Sequence, residues 1–315
     1  MLDLLTRRTV LVTGKGGVGK TTFAAALARV AAWGGKRVLV AEVASEGNVP
    51  SPLAEALGGQ ASSEEPVKIA PGIRAVLLTP SMGHRRFLQD TFPVKALADA
   101  AMRSTAIRRF LHAAPAFSEM GVLYRMLDLM RQKRSDGSFE HEIAVVDLPA
   151  TGHALAITQL PEVILKIIPG GPIGRAVREG LSMLTDPRFT ATLVVTLPES
   201  LPVSESLELV EGLARHQVPL SAMVANRIPA DPFTADERAE VDTLNAATGP
   251  LLGVRALERL DRARAALDRL RRTSTLPVYT VPEVAERGPA LSERLARHLS
   301  EAYQGSKGPR GEGAP

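Results

Sequence analysis

The segment Gly14-Lys15-Gly16-Gly17-Val18-Gly19-Lys20-Thr21-Thr22 has the residue types and the spacing that polyphosphate chemistry needs. It fits the pattern G-x-x-x-x-G-K-[ST]. Gly14, Gly16, Gly17, Val18 and Gly19 would curl so that successive backbone N–H groups point inward as an anion-binding nest. Lys20 can reach the β- and γ-phosphates, and the Thr21 hydroxyl, with Thr22 beside it, can ligate Mg2+. A second constellation is Asp147-Leu148-Pro149-Ala150-Thr151-Gly152-His153. Asp147 ends an apolar run, where it can hold the metal through water opposite Thr21. Gly152 lets a backbone N–H approach the γ-phosphate, so this segment is a candidate switch, ordered by a triphosphate and released after its hydrolysis.

These residues need a scaffold that brings two distant loops together. Residues 9–13 alternate β-branched and apolar side chains as a buried strand does, and an Ala-rich helix with Phe23, Leu27 and Val30 on one stripe follows the loop. That strand–loop–helix context separates the motif from a mere Gly-rich turn. Gly34-Gly35 end the helix and residues 36–43 read as a second strand, giving a right-handed βαβ unit. Residues 44–59 form a loop with a short helix, and residues 73–78 a further strand. Residues 82–135 are predicted mostly helical, carrying Met102, Met120, Met126 and Met130. The run 143–147 has the pattern of a fully buried parallel strand. Residues 153–184 read as helix with a break at 169–172. Strands at 192–197 and 220–226 flank a helix at 204–216. An arginine-rich amphipathic helix at 254–271, an extended segment at 277–281 and a helix at 289–303 complete the pattern. Strands alternating with helices predict an α/β, doubly wound, mainly parallel sheet (a P-loop NTPase fold) with ligand at the carboxyl ends of the strands. Residues 1–304 would make one ATPase domain with helical additions at about 82–135 and 160–187. Residues 305–315, Gly/Pro-rich and charged, read as a disordered tail.

Composition narrows the chemistry. The chain has 315 residues, 45% hydrophobic and 23% charged, enough for a sizeable core. The net charge is only +4, carried mostly by single arginines on helix faces, so nucleic acid is disfavoured as a partner. No cysteine is present, which excludes disulfides, cysteine-based zinc sites and thiol catalysis. No segment approaches the ~18 uninterrupted apolar residues of a membrane span. The chain therefore reads as cytoplasmic.

Lys15, a second lysine just after the first glycine, resembles the phosphate loop of dimeric nucleotide switches, where that lysine reaches the nucleotide of the other subunit. Residues 147–153 with Gln159-Leu160-Pro161 resemble the second switch of the arsenite-pump and guided-entry (tail-anchored protein targeting) ATPase family, which reads Asp-Thr-Ala-Pro-Thr-Gly-His. Further segments resemble the family in order: residues 115–120, residues 201–207, Val224-Ala225-Asn226-Arg227, and residues 282–288. The resemblance implies that Asn226 contacts adenine and that the segment opening with Pro282 and Glu283 wraps the base. It further implies ATP and Mg2+ as cofactors and a dimer that closes on ATP. The dimer would be a homodimer or a heterodimer with a paralogue, its helical insertions forming an apolar surface for a protein client or membrane-protein partner.

Two departures qualify this expectation. The family's first switch carries an aspartate that orients the attacking water, and Ala44 stands at that place here. Water positioning of this kind contributes about 10²–10⁴-fold, so Glu42 or Glu46 takes the role or hydrolysis is slow or partner-dependent. The Cys-x-x-Cys zinc clamp of the targeting subset is also absent, so a dimer must rest on other contacts such as residues 254–271 or the switch loops. Alternative readings are a non-hydrolysing, nucleotide-sensing regulatory subunit and a partition-type ATPase, the latter disfavoured by Thr151-Gly152-His153. Met120, Met126 and Met130 lie at helical spacing and suit either a client groove or ordinary core.

Overall fold

A computed structural model describes residues 2–44, 50–60, 63–91, 115–149, 165–166, 170–248 and 253–306. Eight strands form one sheet: β1 (Thr9–Gly14), β2 (Val38–Val43), β3 (Val67–Ala70), β4 (Ile73–Leu78), β5 (Ile143–Asp147), β6 (Thr190–Thr196), β7 (Leu220–Ile228) and β8 (Val278–Pro282). Their order is β3-β4-β2-β5-β1-β6-β7-β8, and only β3–β4 is antiparallel. β1 lies between β5 and β6, pairing Val12 with Asp147 on one side and Gly14 with Val195 on the other. The chain leaves β1 toward β2 on one side and later passes it to reach β6 on the other. The carboxyl end of β1 is therefore the point where helices diverge and a crevice opens.

The described helices are α1 (Lys20–Trp33), α2 (Pro52–Ala56), α3 (Pro80–Thr91), α4 (Pro115–Arg131), α5 (Gly171–Thr185), α6 (Ser200–Arg215), α7 (Ala235–Thr248), α8 (Val254–Thr273) and α9 (Gly288–Ser306). Strand alternation sends Val10 and Val12 to one face, against Phe23 and Leu27 of α1 and Leu295 and Leu299 of α9. Leu11 goes to the opposite face, where Val122, Leu129 and Met130 of α4 cover it. Val194 and Met223 on that opposite face meet α6 and α8 through Val203, Leu213 and Leu270. Helices on both faces make the sheet doubly wound, as the alternation of elements predicts.

The structure departs from the sequence reading in several places. β3 is an unanticipated strand at the sheet edge, with Val67 and Lys68 exposed, so it carries no buried run. α7 is likewise unanticipated because it buries no residue. α6 begins at Ser200 rather than 204, Pro202 being tolerated in a first turn that needs no N–H. α9 runs through Gly305 and Ser306, residues assigned to the tail, and 307–315 lie outside the described residues. Of the predicted insertion, α3 and α4 are described and 92–114, with Met102, are not. These two helices pack closely: the Phe87 and Tyr124 rings meet edge to face at 5.3 Å. Met120 and Met130 are buried and Met126 packs against the core under β4 and β5, so in this fold these methionines are core rather than open groove.

Candidate functional site

The loop between β1 and α1 is shaped by two glycines that nothing larger could replace. A Cβ on Gly14, at φ +146°, would lie 2.2 Å from the Val195 carbonyl oxygen of the neighbouring strand. One on Gly19, at φ +92°, would lie 2.4 Å from Asn226 Nδ2. The loop can thus pack closely against β6 and β7 just before the start of α1. Lys20 opens α1 and donates from Nζ to the Lys15 carbonyl at 2.9 Å, holding the loop closed around its own cation. Burial lowers the proton affinity of Lys20 and Asp147 opposes that shift.

Thr21, in the first turn of α1, and Asp147, at the end of β5, meet directly: Thr21 Oγ1 donates to Asp147 Oδ2 at 2.5 Å. Burial pushes the Asp147 carboxyl up to about 6; the Thr21 hydrogen bond and Lys20 pull it down, and Glu42 pushes it up again. Its other oxygen, Oδ1, is buried without a partner among the described residues. A buried hydroxyl–carboxylate pair with a spare oxygen is a donor set that suits a hard divalent cation with several waters.

Glu42 sits in register with Asp147 across β2 and β5. Its carboxylate is engaged elsewhere: Oε2 accepts from Ser51 Oγ at 2.7 Å and from the Leu53 backbone N–H at 3.2 Å, anchoring the start of α2. Ala44 follows β2 with its N–H on the Leu78 carbonyl at 3.1 Å and supplies no polar side chain. Glu46 and Gly152 lie outside the described residues.

Asn226, Pro282 and Glu283, the residues expected to hold a base, line one cavity of about 530 Å3 together with Gly19 and Thr22, walled on its apolar side by Val284 and Leu295. Asn226 is buried and donates from Nδ2 to the Val18 carbonyl at 2.8 Å, so it also staples the phosphate loop to β7. Glu283 is paired with Arg259 of α8 at 2.8 and 3.0 Å. Lys15 is turned back within the chain, its Nζ ion-paired with Glu205 of α6. Sequence reasoning missed the roles of Glu205 and Arg259, whose partners lie in distant segments; the only local signal was the position of Glu205 in the family-like stretch 201–207.

A glycine-lined loop at a helix start, a lysine at its floor, and a strand-end aspartate against the helix threonine define a phosphate-loop nucleotide-binding protein of the α/β class. The comparisons narrow this. The family model for anion-transporting ATPases matches residues 7–169, about half of the chain. The ATPase BagA of Mycobacterium tuberculosis is 32% identical over 227 residues, covering 70% of this chain and 65% of its own. An arsenical pump-driving ATPase of Acidiphilium multivorum is 26% identical over 250 residues, 75% of this chain and 41% of that one. The ATPase GET3 of Chaetomium globosum is 23% identical over 316 residues, 83% of this chain and 90% of that one. The chain belongs to the arsenite-pump and GET3 ATPase family. It spans about 65% of the length of the mycobacterial relatives it matches.

Proposed function

We propose that this chain is a Mg-ATP-operated switch of that family: ATP closes a dimer around two facing sites, closure acts on an apolar protein or membrane client, and hydrolysis is slow or partner-dependent. The observation that carries this reading is the Thr21–Asp147 contact of 2.5 Å beside Lys20 at the mouth of the glycine loop. Gly14, Gly16, Gly17, Val18 and Gly19 would cradle the phosphates, and Lys20 would neutralise the β- and γ-oxygens. Thr21 directly and Asp147 through water would hold Mg2+, which supplies charge neutralisation on the phosphates when bound. Thr22, Asn226, Pro282 and Glu283 would enclose the base and ribose; Gly152 would meet the γ-phosphate. Lys15 would reach the other subunit's nucleotide after leaving Glu205. Both partners of that pair are about a third exposed, so it holds Lys15 with a modest ~0–1 kcal/mol.

Two features favour slow turnover. Ala44 cannot polarise water, and the Glu42 carboxylate is occupied by Ser51 and the Leu53 N–H. These same features favour a second reading, a nucleotide-sensing subunit that binds ATP without turnover beside a catalytic paralogue. The absence of cysteine turns the reading away from a cysteine-held metalloid. Among the described residues no helix is long and apolar enough to cross a membrane, so a membrane client would be a partner rather than part of the described fold. Phosphate release by wild type and Lys20→Ala separates the two readings. A rate at least tenfold lower in the variant supports ATPase action. Equal rates with intact Mg-ATP binding leave the regulatory subunit, and no Mg-ATP binding in wild type removes both. Sedimentation with and without ATP tests the dimer.

A further inference from the structure

Next to the base cavity lies a second one of about 640 Å3, within the usual 300–1,000 Å3 of small-molecule sites. Its walls are the turn after β6, Arg227 near the end of β7 where its pairing with β8 shifts register, Pro229 just beyond that strand, and one face of α8. On that face Arg259, Arg262 and Arg269 stand over Ala263 and Ala266, so guanidinium groups rim a small apolar floor. The cavity thus has four arginines against two carboxylates, Glu199 and Glu283.

Arg259 is paired with Glu283, but the other three arginines facing the cavity differ from others nearby. Arg264 and Arg238 are spent on Asp231 and Asp261. Among the described residues Arg262 reaches only its helix neighbour Glu258, at 3.7 Å and in solvent. Arg269 donates to the Ser200 carbonyl at a long 3.4 Å, and Arg227 has no ion pair among the described residues. Arg227 also has a left-handed backbone, φ +57°, a conformation costly to a long side chain and held here between two fixed points. Asn226 on one side is tied to Val18, and on the other the Ile228 carbonyl accepts from the Glu283 N–H at 2.9 Å.

We propose that this cavity binds a small anion carrying two or more phosphate groups. Guanidinium groups match phosphate oxygens two at a time, and four converging on one concave site favour a compact polyanion over an extended nucleic-acid track. The apolar floor leaves room for an organic body. Arg227 and Glu283 line both this cavity and the base cavity, so the two sites share a wall. An anion that draws Arg259 away releases Glu283 at the edge of the base cavity; this linkage rests on the nucleotide reading above, whereas the anion site does not.

Calorimetric titration of the full chain with pyrophosphate tests the site, with Mg-ATP binding measured separately to judge the nucleotide reading on its own. In Lys20→Ala, which disables the phosphate loop, saturable pyrophosphate binding is expected to persist. Adding Arg262→Ala and Arg269→Ala, both at exposed positions, should weaken it at least tenfold, while Arg262→Lys with Arg269→Lys should weaken it less. Glu283→Gln, which frees Arg259, should tighten it several-fold. Loss of all binding in Lys20→Ala, equal affinity with and without the paired alanines, or citrate binding as tightly as pyrophosphate overturns the proposal. An unchanged affinity in Glu283→Gln overturns the linkage between the sites.

Discussion

Asn226 offers the sharpest check on how the site is held together. Its amide is buried and donates to the Val18 carbonyl at 2.8 Å, and its nitrogen occupies the space a side chain on Gly19 would need. Replacing it with alanine leaves a loop carbonyl without its donor and a gap beneath the phosphate nest. A buried acceptor left unpaired costs about 1–3 kcal/mol, so Asn226→Ala should lower unfolding stability by that amount. Asn226→Asp should cost more at neutral pH, because a carboxylate oxygen would face the carbonyl oxygen. On acidification the protonated carboxyl can donate, so the deficit of the Asp variant relative to the Ala variant should shrink. Urea unfolding of the three proteins at pH 7 and pH 5, with Mg-ATP titrations alongside, measures this. A purely base-contacting Asn226 predicts a different pattern: affinity lost and stability untouched in both variants. That result, or equal stability of Ala and Asp at both pH values, would refute the staple.

Four other outcomes are expected. His141 is buried, its Nε2 without a partner among the described residues, and burial holds its pKa near 4, with nearby arginines assisting and Glu140 opposing. The fold keeps it neutral while the unfolded chain protonates near 6.5, so stability should be intact above pH 6.5 and fall by up to about 3 kcal/mol as pH drops to 4. His141→Leu should flatten that fall, read from urea midpoints. Gly121→Ala should destabilise by about 1–3 kcal/mol, since its Cβ would meet the Pro80 carbonyl oxygen at 2.3 Å where α3 and α4 touch; thermal unfolding tests it. Glu205→Gln should change stability by no more than about 1 kcal/mol but strengthen ATP-dependent self-association by freeing Lys15, and unchanged sedimentation would count against the dimer role. Ala44→Asp should raise phosphate release, up to the ~10²–10⁴-fold that positioned water contributes, and no increase would place the limit elsewhere.

What could be read from the sequence depended on whether the information is local. The run from Thr9 to Thr21 encodes a strand, a nest and a helix start in consecutive residues, and the buried strands β4 and β5 announce themselves as apolar runs. β3 and α7 were illegible for the opposite reason: Val67 and Lys68 lie in solvent, and α7 buries nothing, so neither has a hydrophobic period. The methionines of α4 show the limit of periodicity, which marks a stripe without saying that the sheet covers Met130. The pairs that shape the site are still less local. Lys15 with Glu205 and Val18 with Asn226 join segments about 200 residues apart, and only the sheet order β1-β6-β7 brings them together.

That order also separates the two halves of the chemistry. Phosphate and metal ligands would come from β1, α1 and β5, which sit at the centre of the sheet and are stiffened by the core on both faces. Water positioning would come from the end of β2, one strand out, where Ala44 is inert and Glu42 is anchoring α2. Glu42 also raises the proton affinity of Asp147, so removing its charge to improve catalysis would disturb both a helix start and the carboxylate proposed to hold the metal. A chain built this way would keep its grip on nucleotide while its turnover drifts at Ala44, whose place after β2 lies outside β1, α1 and β5. Grip without fast turnover is what a switch needs when its timing is set by a partner.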